Sequence, residues 1–350
     1  MIDLSRRSTL ALGLTAAAGL ALAPAARAAI PSRTRMRVIS DNDFSGDPDG
    51  LFQLAHHLLC PTVALPLVVG SHLVGNSAWG PSRQQATDAA NSVRELLRAM
   101  GPAAQPTTVL AGAERAIAAR NAWQPSPATA AIVREAMRTD TDQPLYFVAG
   151  ASLTEIALAW LAEPRIGKRL RLVWIGGNEH PGMAEPPPGP REPEFNFSLD
   201  PVAAKVVFDE SDIEIWQVPR NAYRQMLFGV AELAELAETG PLGRHLMGRI
   251  DALNALIAGL PFGNRFRMGE SYVLGDSPLV TLTALQTPFQ PDAASCSYRA
   301  MPTPRINPDG SYTARAEGRP MRVYTAIDAG VTFRDMMARF RLADRGHSIR

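Results

Sequence analysis

The chain has 350 residues, of which 46% are hydrophobic and 20% charged, and its formal net charge is +1. This is the composition of an ordinary globular protein, and so small a charge gives no electrostatic reason to expect a nucleic acid or an anionic membrane as partner. The length suits one large domain or two small ones.

The first 28 residues differ from the rest of the chain. Ser5-Arg6-Arg7-Ser8 precedes an apolar run rich in Ala, Leu and Gly, and Ala26-Arg27-Ala28 has the small-x-small pattern of a cleavage site. The apolar run is about 14 residues long, whereas a membrane-spanning helix needs roughly 20. The pattern predicts a cleaved twin-arginine export signal over residues 1–28 and a single mature domain over 29–350. We therefore expect a periplasmic or secreted protein that has no membrane contact after cleavage.

Short, β-branched apolar runs alternate with helical patterns along the mature chain. The predicted strands are Met36–Ser40, Val63–Val69, Leu145–Val148, Leu172–Ile175, Ile213–Val218 and Arg322–Ala326. The predicted helices are Leu51–Leu59, Arg83–Met100, Ser126–Arg138, Leu153–Leu161, Pro201–Phe208 and a last one near Phe333–Phe340. Residues 299–308 and 310–319 are expected to form loop and hairpin. The alternation predicts an α/β fold with a mostly parallel open sheet flanked by helices.

Polar loops follow several of the predicted strands. Ligands of parallel sheets bind beyond the carboxyl ends of the strands, an edge that we call the rim. Residues 41–50, 70–80, 149–152 and 176–196 are all expected to open onto this rim. Gly182–Pro193 is proline-rich and too stiff for a helix or a strand, so we predict a flap there. Asp200-Pro201 has the pattern of a helix start.

The acidic stretch, Asp41–Gly50, reads D-N-D-F-S-G-D-P-D-G and follows the first predicted strand. Four carboxylates in ten residues repel one another unless a cation offsets the repulsion. Oxygen ligands without His or Cys suit Ca²⁺ or Mg²⁺ rather than Zn²⁺. The alternative is a solvated turn in which Asp49 caps the next helix. Asp276, in V-L-G-D-S-P-L-V, is a further candidate for the same rim, with helix capping as its alternative.

Two reaction classes are compatible with D-x-D after a first strand and a late G-D. The first is phosphoryl transfer of the haloacid-dehalogenase type, but residues 275–280 lack the second late Asp, and no well-placed lysine follows. The second is hydrolysis of an N-glycosidic bond.

The order of the motifs resembles the inosine-uridine-preferring nucleoside hydrolase family over about two-thirds of the chain. The acidic stretch is similar to the family's opening D-x-D-x-G-x-D-D, and V-V-G-S-H-L-V-G-N to its V-A-G-N turn. G-A-S-L-T at residues 150–154 resembles G-x-L-T-N, and G-D-S-P-L at residues 275–279 resembles H-D-P-x-A. The most specific match is E-F-N-F-S-L-D-P at residues 194–201, which resembles E-F-N-x-x-x-D-P.

The resemblance implies Ca²⁺-dependent hydrolysis of nucleosides or other ribosides to base and ribose. It implies that Asp43 is both a calcium ligand and the general base that activates the attacking water. The other implied metal ligands are Asp47, the main-chain carbonyl of Gly150, and Asp276. The implied ribose-binding residues are Asp49, Asn76, Glu194 and Asn196, with Glu194 and Asn196 nearest the 5′ end. Family members are commonly homodimers or homotetramers.

Two departures from the family pattern affect these roles. The family has adjacent aspartates where this chain has Asp47-Pro48-Asp49-Gly50, in a stretch two residues longer. Either Asp47 or Asp49 replaces the ligand that is missing at Gly50, or the site is weakened. Gly275 stands where many members have a histidine that helps to protonate the leaving base. Activation of the leaving base would then come from Glu179 or His180 on the flap, from His72, from stacking by Trp79, or from protonation by solvent.

Three functions remain open on the sequence. An active N-ribosyl hydrolase is the first, and an exported sugar- or nucleoside-binding protein of the same fold with weak or no turnover is the alternative. A hydrolase of the same fold that acts on another glycoside is the third. His56 and His57 lie on a predicted helix and are expected to be packing or surface residues. Cys60 and Cys296 either form one disulfide or remain free.

Overall fold

The computed structural model describes residues 33–73, 82–260, 263, 268–287 and 295–346. The strands are β1 Met36–Asn42, β2 Val63–Gly70, β3 Thr108–Ala111, β4 Leu145–Ala149, β5 Leu170–Ile175, β6 Glu214–Val218, β7 Leu227–Gly229, β8 Ser271–Val273, β9 Ser297–Pro302, β10 Arg305–Ile306, β11 Tyr312–Thr313 and β12 Pro320–Ala326. The helices are α1 Asp49–Leu58, α2 Gln85–Met100, α3 Thr129–Ala136, α4 Thr154–Ala162, α5 Phe195–Leu199, α6 Pro201–Lys205, α7 Arg220–Tyr223, α8 Val230–Ala237, α9 Pro241–Ala258, α10 Pro278–Thr281 and α11 Ala329–Asp344.

Eight strands form the central sheet in the order β3-β2-β1-β4-β5-β6-β12-β9. All neighbouring pairs are parallel except β12 and β9, which are antiparallel. Two buried clusters of apolar side chains cover the faces of the sheet, one including Val38 on β1 and the other Ile39. Because successive side chains of a strand point to opposite faces, β1 contributes to both clusters. The predicted mostly parallel α/β fold is confirmed.

The acidic stretch begins at β1, the strand at which the strand order of the sheet reverses. The chain proceeds from β1 to β2 and β3 on one side, and then returns to place β4, β5 and β6 on the other side of β1. Such a switch point leaves a crevice outside the carboxyl ends of the two central strands, where ligands of open α/β sheets bind. The N–H of Gly150, just after β4, donates to the carbonyl of Asp41 at 3.0 Å. The loops after β1 and β4 are thereby fixed side by side.

The predicted elements agree with the structure in the first two-thirds of the chain and less well after it. Five of the predicted strands lie within one or two residues of β1, β2, β4, β5 and β6, and the strand at Arg322–Ala326 is β12. The expected loop and hairpin at residues 299–308 is partly wrong, because Ser297–Pro302 forms the antiparallel edge strand β9. Most β9 side chains are exposed, so β9 lacks the apolar pattern of a buried strand. The helices α8 and α9 were not predicted.

Two local predictions concern the middle of the chain. The flap, Gly182–Pro193, contains neither helix nor strand, as predicted. An Asp200 oxygen accepts from the N–H of Ala203 at 2.8 Å with Pro201 at the first helical position, which confirms the predicted helix start. Among the described residues, no helix has the length and apolarity needed to cross a bilayer. Cys60 and Cys296 are both free thiols.

Candidate active site

Three carboxylates meet at the rim, two from the acidic stretch and one from a distant segment. The turn after β1 carries Asp43, α1 begins at Asp49, and Asp276 enters from the segment between β8 and α10. Asp43 and Asp276 are 7% and 3% exposed, so both carboxylates are withdrawn from water. The distant aspartate predicted from G-D-S-P therefore does meet the first strand at the rim.

These carboxylates oppose one another's ionisation. Burial, followed by the charge of Asp276, raises the pKa of Asp43 well above its ordinary value. Partial burial and the same neighbour raise the pKa of Asp49. The pKa of Asp276 is raised to about 7, mainly by burial. A cation bound between these groups would reverse the shifts, because it favours the ionised form of each carboxylate.

Asp47 is close enough to Asp43, Asp49 and Asp276 to raise their pKa values, and it also has its own hydrogen-bond donors. Its Oδ1 accepts from the hydroxyl of Tyr272 at 2.7 Å and from the N–H of Asp49 at 3.2 Å. Asp49, in contrast, lies within hydrogen-bonding reach of Asp276. The predicted metal ligand Asp47 is thus held by a tyrosine, while Asp49, predicted to bind ribose, is next to the second predicted ligand.

Asn42 occupies the space between the carboxylates and two glycines. Its Nδ2 donates to Oδ2 of Asp276 at 2.7 Å, and its Oδ1 accepts from the N–H of Asp43 at 2.9 Å. A Cβ atom at Gly50 would lie 2.5 Å from this Nδ2, and one at Gly150 would lie 2.2 Å from it. Neither position can carry a side chain unless Asn42 moves. Replacing Gly50 by aspartate would therefore not by itself restore the missing metal ligand.

Glu194 and Asn196 face the rim from α5 and the residue before it. Glu194 is 1% exposed, and its Oε2 accepts from the backbone N–H groups of Gly177 and Phe197 at 2.7 and 3.0 Å. The two bonds fix the orientation of the carboxylate. Asn196 Nδ2 donates at 2.8 Å to the carbonyls of Gly150 and Ile175. The predicted residues Glu194 and Asn196 are therefore tied to the ends of β4 and β5.

The side chains considered as proton donors have other partners in the structure. His72 Nδ1 is 3.0 Å from the Leu73 carbonyl, and Nε2 is 3.1 Å from the Thr154 hydroxyl. His180 is buried with its ring stacked on Tyr312 at 3.9 Å. Glu179 forms a two-contact ion pair with Arg220 at 2.6 and 2.7 Å. Asn76 and Trp79 lie outside the described residues.

Two tyrosines belong to the site that the sequence analysis did not identify. The hydroxyl of Tyr223 donates to Glu194 Oε1 at 2.9 Å, and Tyr272 contacts Asp47 as described above. Tyr223 ends α7, directly after the carboxyl end of β6, so the rule that polar loops follow the strands to the rim would have found it. Tyr272 lies on the short strand β8, and its pattern carries no signal for a site.

A second group of ligand-type side chains lies at the far end of α1. In the described part of the chain, His56, Cys60 and Asp335 form the one group of three such residues whose potential ligand atoms all lie within 4.8 Å of one another. His56 Nε2 is 2.7 Å from Asp335, which also accepts from Arg339 Nε at 2.6 Å. His57 lies between Gln53 and Thr283 in the core. This group is separate from the rim, and both histidines are buried packing residues.

Comparison with known proteins agrees with the geometry. The sequence profile of the inosine-uridine preferring nucleoside hydrolase family matches residues 38–290. The chain belongs to this family. A segment of 65 residues is 45% identical to the inosine-uridine preferring nucleoside hydrolase of Leishmania major, covering 18% of this chain and 19% of that protein. A segment of 72 residues is 43% identical to the Crithidia fasciculata protein of the same description, covering 20% of each chain.

These alignments span about a fifth of the length of the curated relatives. Solved nucleoside hydrolases extend the likeness over nearly the whole chain. A plant nucleoside hydrolase superposes with a TM-score of 0.65 at 16% identity, covering 88% of this chain and 99% of that one. The purine-preferring ribonucleoside hydrolase from Gardnerella vaginalis gives a TM-score of 0.64 at 16% identity, with the same coverage. At such identities the likeness shows the nucleoside hydrolase fold.

Proposed function

We propose that this nucleoside hydrolase family member cleaves the N-glycosidic bond of ribonucleosides in a calcium-dependent reaction, releasing base and ribose. The observation that carries the proposal is the meeting of buried Asp43 and Asp276 with Glu194 and Asn196 at one rim. Family membership supports both the class of reaction and a dependence on metal.

The donors at the rim fit a hard divalent cation. All of the side chains that would bind it are carboxylates, whose mutual repulsion such an ion removes. We propose Asp43, Asp47, the Gly150 carbonyl and Asp276 as the ligands. The proximity of Asp49 to Asp276 supports a variant assignment in which Asp49 is the ligand and Asp47, held by Tyr272, faces the ribose. When bound, Ca²⁺ would orient the ribose hydroxyls and increase the acidity of a water molecule.

The ribose-binding roles follow from the hydrogen bonds that remain open. Both N–H groups of the Asn196 amide are used on main-chain carbonyls, so its Oδ1 is left to accept from a sugar hydroxyl. Glu194 is buried and held by two backbone N–H groups, and its Oε1 has capacity beyond the Tyr223 bond. We assign the same role to Asn76 and Asp49 from the sequence. Holding the sugar at several points fixes the anomeric carbon near Asp43.

Asp43 is the proposed general base. It accepts a proton from the water that attacks the anomeric carbon, as positive charge develops on the ribose. Its position on a tight turn after β1 is stabilised because the N–H of Gly46 donates to the Asp43 carbonyl at 2.7 Å. A rigid base at hydrogen-bonding distance from its water is what this chemistry needs.

Export and assembly remain proposals from the sequence. The twin-arginine pattern and cleavage site within residues 1–28 support a periplasmic or secreted enzyme. A homodimer or homotetramer is proposed from family membership. Size-exclusion chromatography with light scattering on the secreted protein would measure both the mature mass and the oligomeric state.

The mature protein should be incubated with purine and pyrimidine ribonucleosides, with and without EDTA, while free base and reducing sugar are measured. We expect EDTA-sensitive release that is abolished in Asp43→Asn. Calcium-dependent ribose binding without release would instead establish the alternative, an exported binding protein with weak or no turnover. Phosphate release from a generic phosphatase substrate would indicate the dehalogenase-type reaction.

A further inference from the structure

The flap is attached to the rest of the fold at both of its ends, and one side chain contacts both. Arg220 begins α7, two residues after the carboxyl end of β6. Its Nε and Nη2 donate to the two carboxylate oxygens of Glu179, just before the flap, at 2.7 and 2.6 Å. Its Nη1 donates at 3.4 Å to the carbonyl of Glu192, near the end of the flap. Because the donors of a guanidinium are fixed in one rigid plane, these bonds also fix the separation of the two ends.

The backbone of Arg220 supports the turn that precedes the flap. Its N–H donates to the carbonyl of Gly177 at 3.1 Å. Gly177 has a φ of 87°, in the left-handed region that favours glycine, and a Cβ atom there would lie 2.3 Å from Nε2 of Gln217. The N–H of the same glycine donates to Oε2 of Glu194 at 2.7 Å. Arg220 and Glu194 are therefore connected through a single residue.

The other contacts of Glu194 lead back to the same segments. Its N–H donates to Oδ1 of Asn178 at 2.7 Å, next to Gly177 in the chain. Tyr223, which lies on α7 with Arg220, donates to the second carboxylate oxygen, Oε1, at 2.9 Å. The orientation of the Glu194 carboxylate thus depends on the turn before the flap and on α7, the two segments that Arg220 joins.

The ion pair between Arg220 and Glu179 is buried, since their side chains are only 10% and 5% exposed. Removal of one partner of a buried pair leaves the other charge without compensation and destabilises the fold. Replacement of both partners by apolar residues is far less costly, and is often neutral. The single and the double replacement therefore differ in stability, although both release the flap from α7.

We propose that Arg220 is a positioning residue for Glu194 and that it acts by fastening both ends of the flap. The inference rests on the proposed function, in which Glu194 binds a ribose hydroxyl, and adds to it a residue that acts through Glu194. Without the guanidinium, the flap moves away from α7 and the turn at Gly177 no longer orients the carboxylate. The ribose then binds more weakly, whereas Asp43 keeps its place on the turn after β1.

Limited proteolysis tests the attachment of the flap without a catalytic assay. Arg191 lies in the flap and is exposed, and the residue after it, Glu192, is the one that contacts Arg220. We expect trypsin to cut the bond after Arg191 about tenfold faster in Arg220→Met than in the wild type, because the loss of a hydrogen bond to a charged group favours local opening. Mass spectrometry of timed samples identifies this cleavage among the others.

Steady-state kinetics test the positioning of Glu194, with the ribonucleoside that the wild type cleaves fastest. In Arg220→Met we expect KM to rise about tenfold while kcat changes by less than about threefold, since the lost contact binds substrate and transition state alike. Arg220→Lys keeps a charge and one contact to Glu179, so it should recover part of the affinity. The double variant Arg220→Met/Glu179→Met should regain thermal stability but retain the raised KM.

The matched control is Arg37→Met, which breaks a buried pair with Glu135, of 2.6 Å, at the amino end of β1. It should lower stability as Arg220→Met does, yet leave KM and the cleavage after Arg191 unchanged. Equal effects of the two variants on KM and cleavage, or a wild-type KM in the double variant, would overturn the inference. If the wild type cleaves no ribonucleoside, the proposed function fails, and faster cleavage after Arg191 still supports the fastening of the flap. Should Arg220→Met not fold, Glu179→Gln takes its place in both assays.

Discussion

Replacement of one buried carboxylate should change how the stability of the metal-free protein depends on pH. The pKa of Asp276 is 3.8 in an unfolded chain and about 7 in the folded protein. The folded state therefore keeps a proton, between about pH 4 and pH 7, that the unfolded state releases. Stability from this group is fully present below the unfolded pKa and is lost as the pH rises through the folded pKa. The shift corresponds to a loss on the order of 4 kcal/mol, because each pKa unit represents about 1.4 kcal/mol.

Asp276→Asn removes this dependence while preserving the shape of the side chain, and its amide oxygen can still accept from Asn42. We expect the free energy of unfolding of the variant, minus that of the wild type, to rise between pH 4.5 and pH 8 in EDTA. This difference between variant and wild type is measured because other titrating groups change the stability of both proteins with pH in the opposite direction. Burial lowers the pKa of His57 to about 3, so that its contribution is lost as the pH falls.

Urea unfolding followed by circular dichroism, in EDTA and in saturating Ca²⁺, measures both proteins. In Ca²⁺ the order should reverse near pH 8, because the wild type gains binding energy from a ligand that the variant lacks. If the difference in the free energy of unfolding between the two proteins does not change with pH in EDTA, the raised pKa assigned to Asp276 is refuted.

Two further predictions concern a glycine of the site and the free thiols. Gly150→Ala should weaken Ca²⁺ binding in calorimetry by about tenfold or more, because its Cβ would lie 2.2 Å from Asn42, a clash of the overpacking kind. The matched control Gly248→Ala, in α9 with open space around the new methyl group, should stabilise the protein by about 0.5–1 kcal/mol and leave binding unchanged. Iodoacetamide at pH 8 should modify Cys296 before Cys60, whose burial raises the thiol pKa to about 12, and mass spectrometry of timed samples would show the reverse order if this is wrong.

The sequence predicted those parts of the fold whose residues carry their own pattern. The strands β2 and β4 are nearly continuous apolar runs, and β1, β5 and β6 contain short buried apolar segments, because both faces of a parallel sheet are covered. The edge strand β9 is exposed, and its role depends on pairing with β12, a contact between distant parts of the chain. Such a strand is specified by its partner rather than by its own pattern.

The candidate site divides in the same way. The short motifs gave Asp43, Glu194 and Asp276, and the strand rule placed the loops of Asp43 and Glu194 at one rim before the contacts were known. A single tyrosine has no spacing pattern, so Tyr272 carries no sequence signal, whereas Tyr223 is marked only by its place after the carboxyl end of β6. The fold brings each hydroxyl to a carboxylate. Side chains that act on other side chains of a site are therefore the least visible in one sequence.

Asn42 shows why the acidic stretch could not be interpreted by alignment alone. Its place between two aspartates in the sequence suggests a spacer, yet its amide donates to Asp276 and fills the space left by Gly50 and Gly150. A side chain at position 50 would collide with this amide, so an aspartate there and the present position of Asn42 exclude one another. Asp49, one residue earlier on α1, instead brings a carboxylate within hydrogen-bonding reach of Asp276. The inserted Gly46 and Pro48 reshape the turn before it without removing a carboxylate.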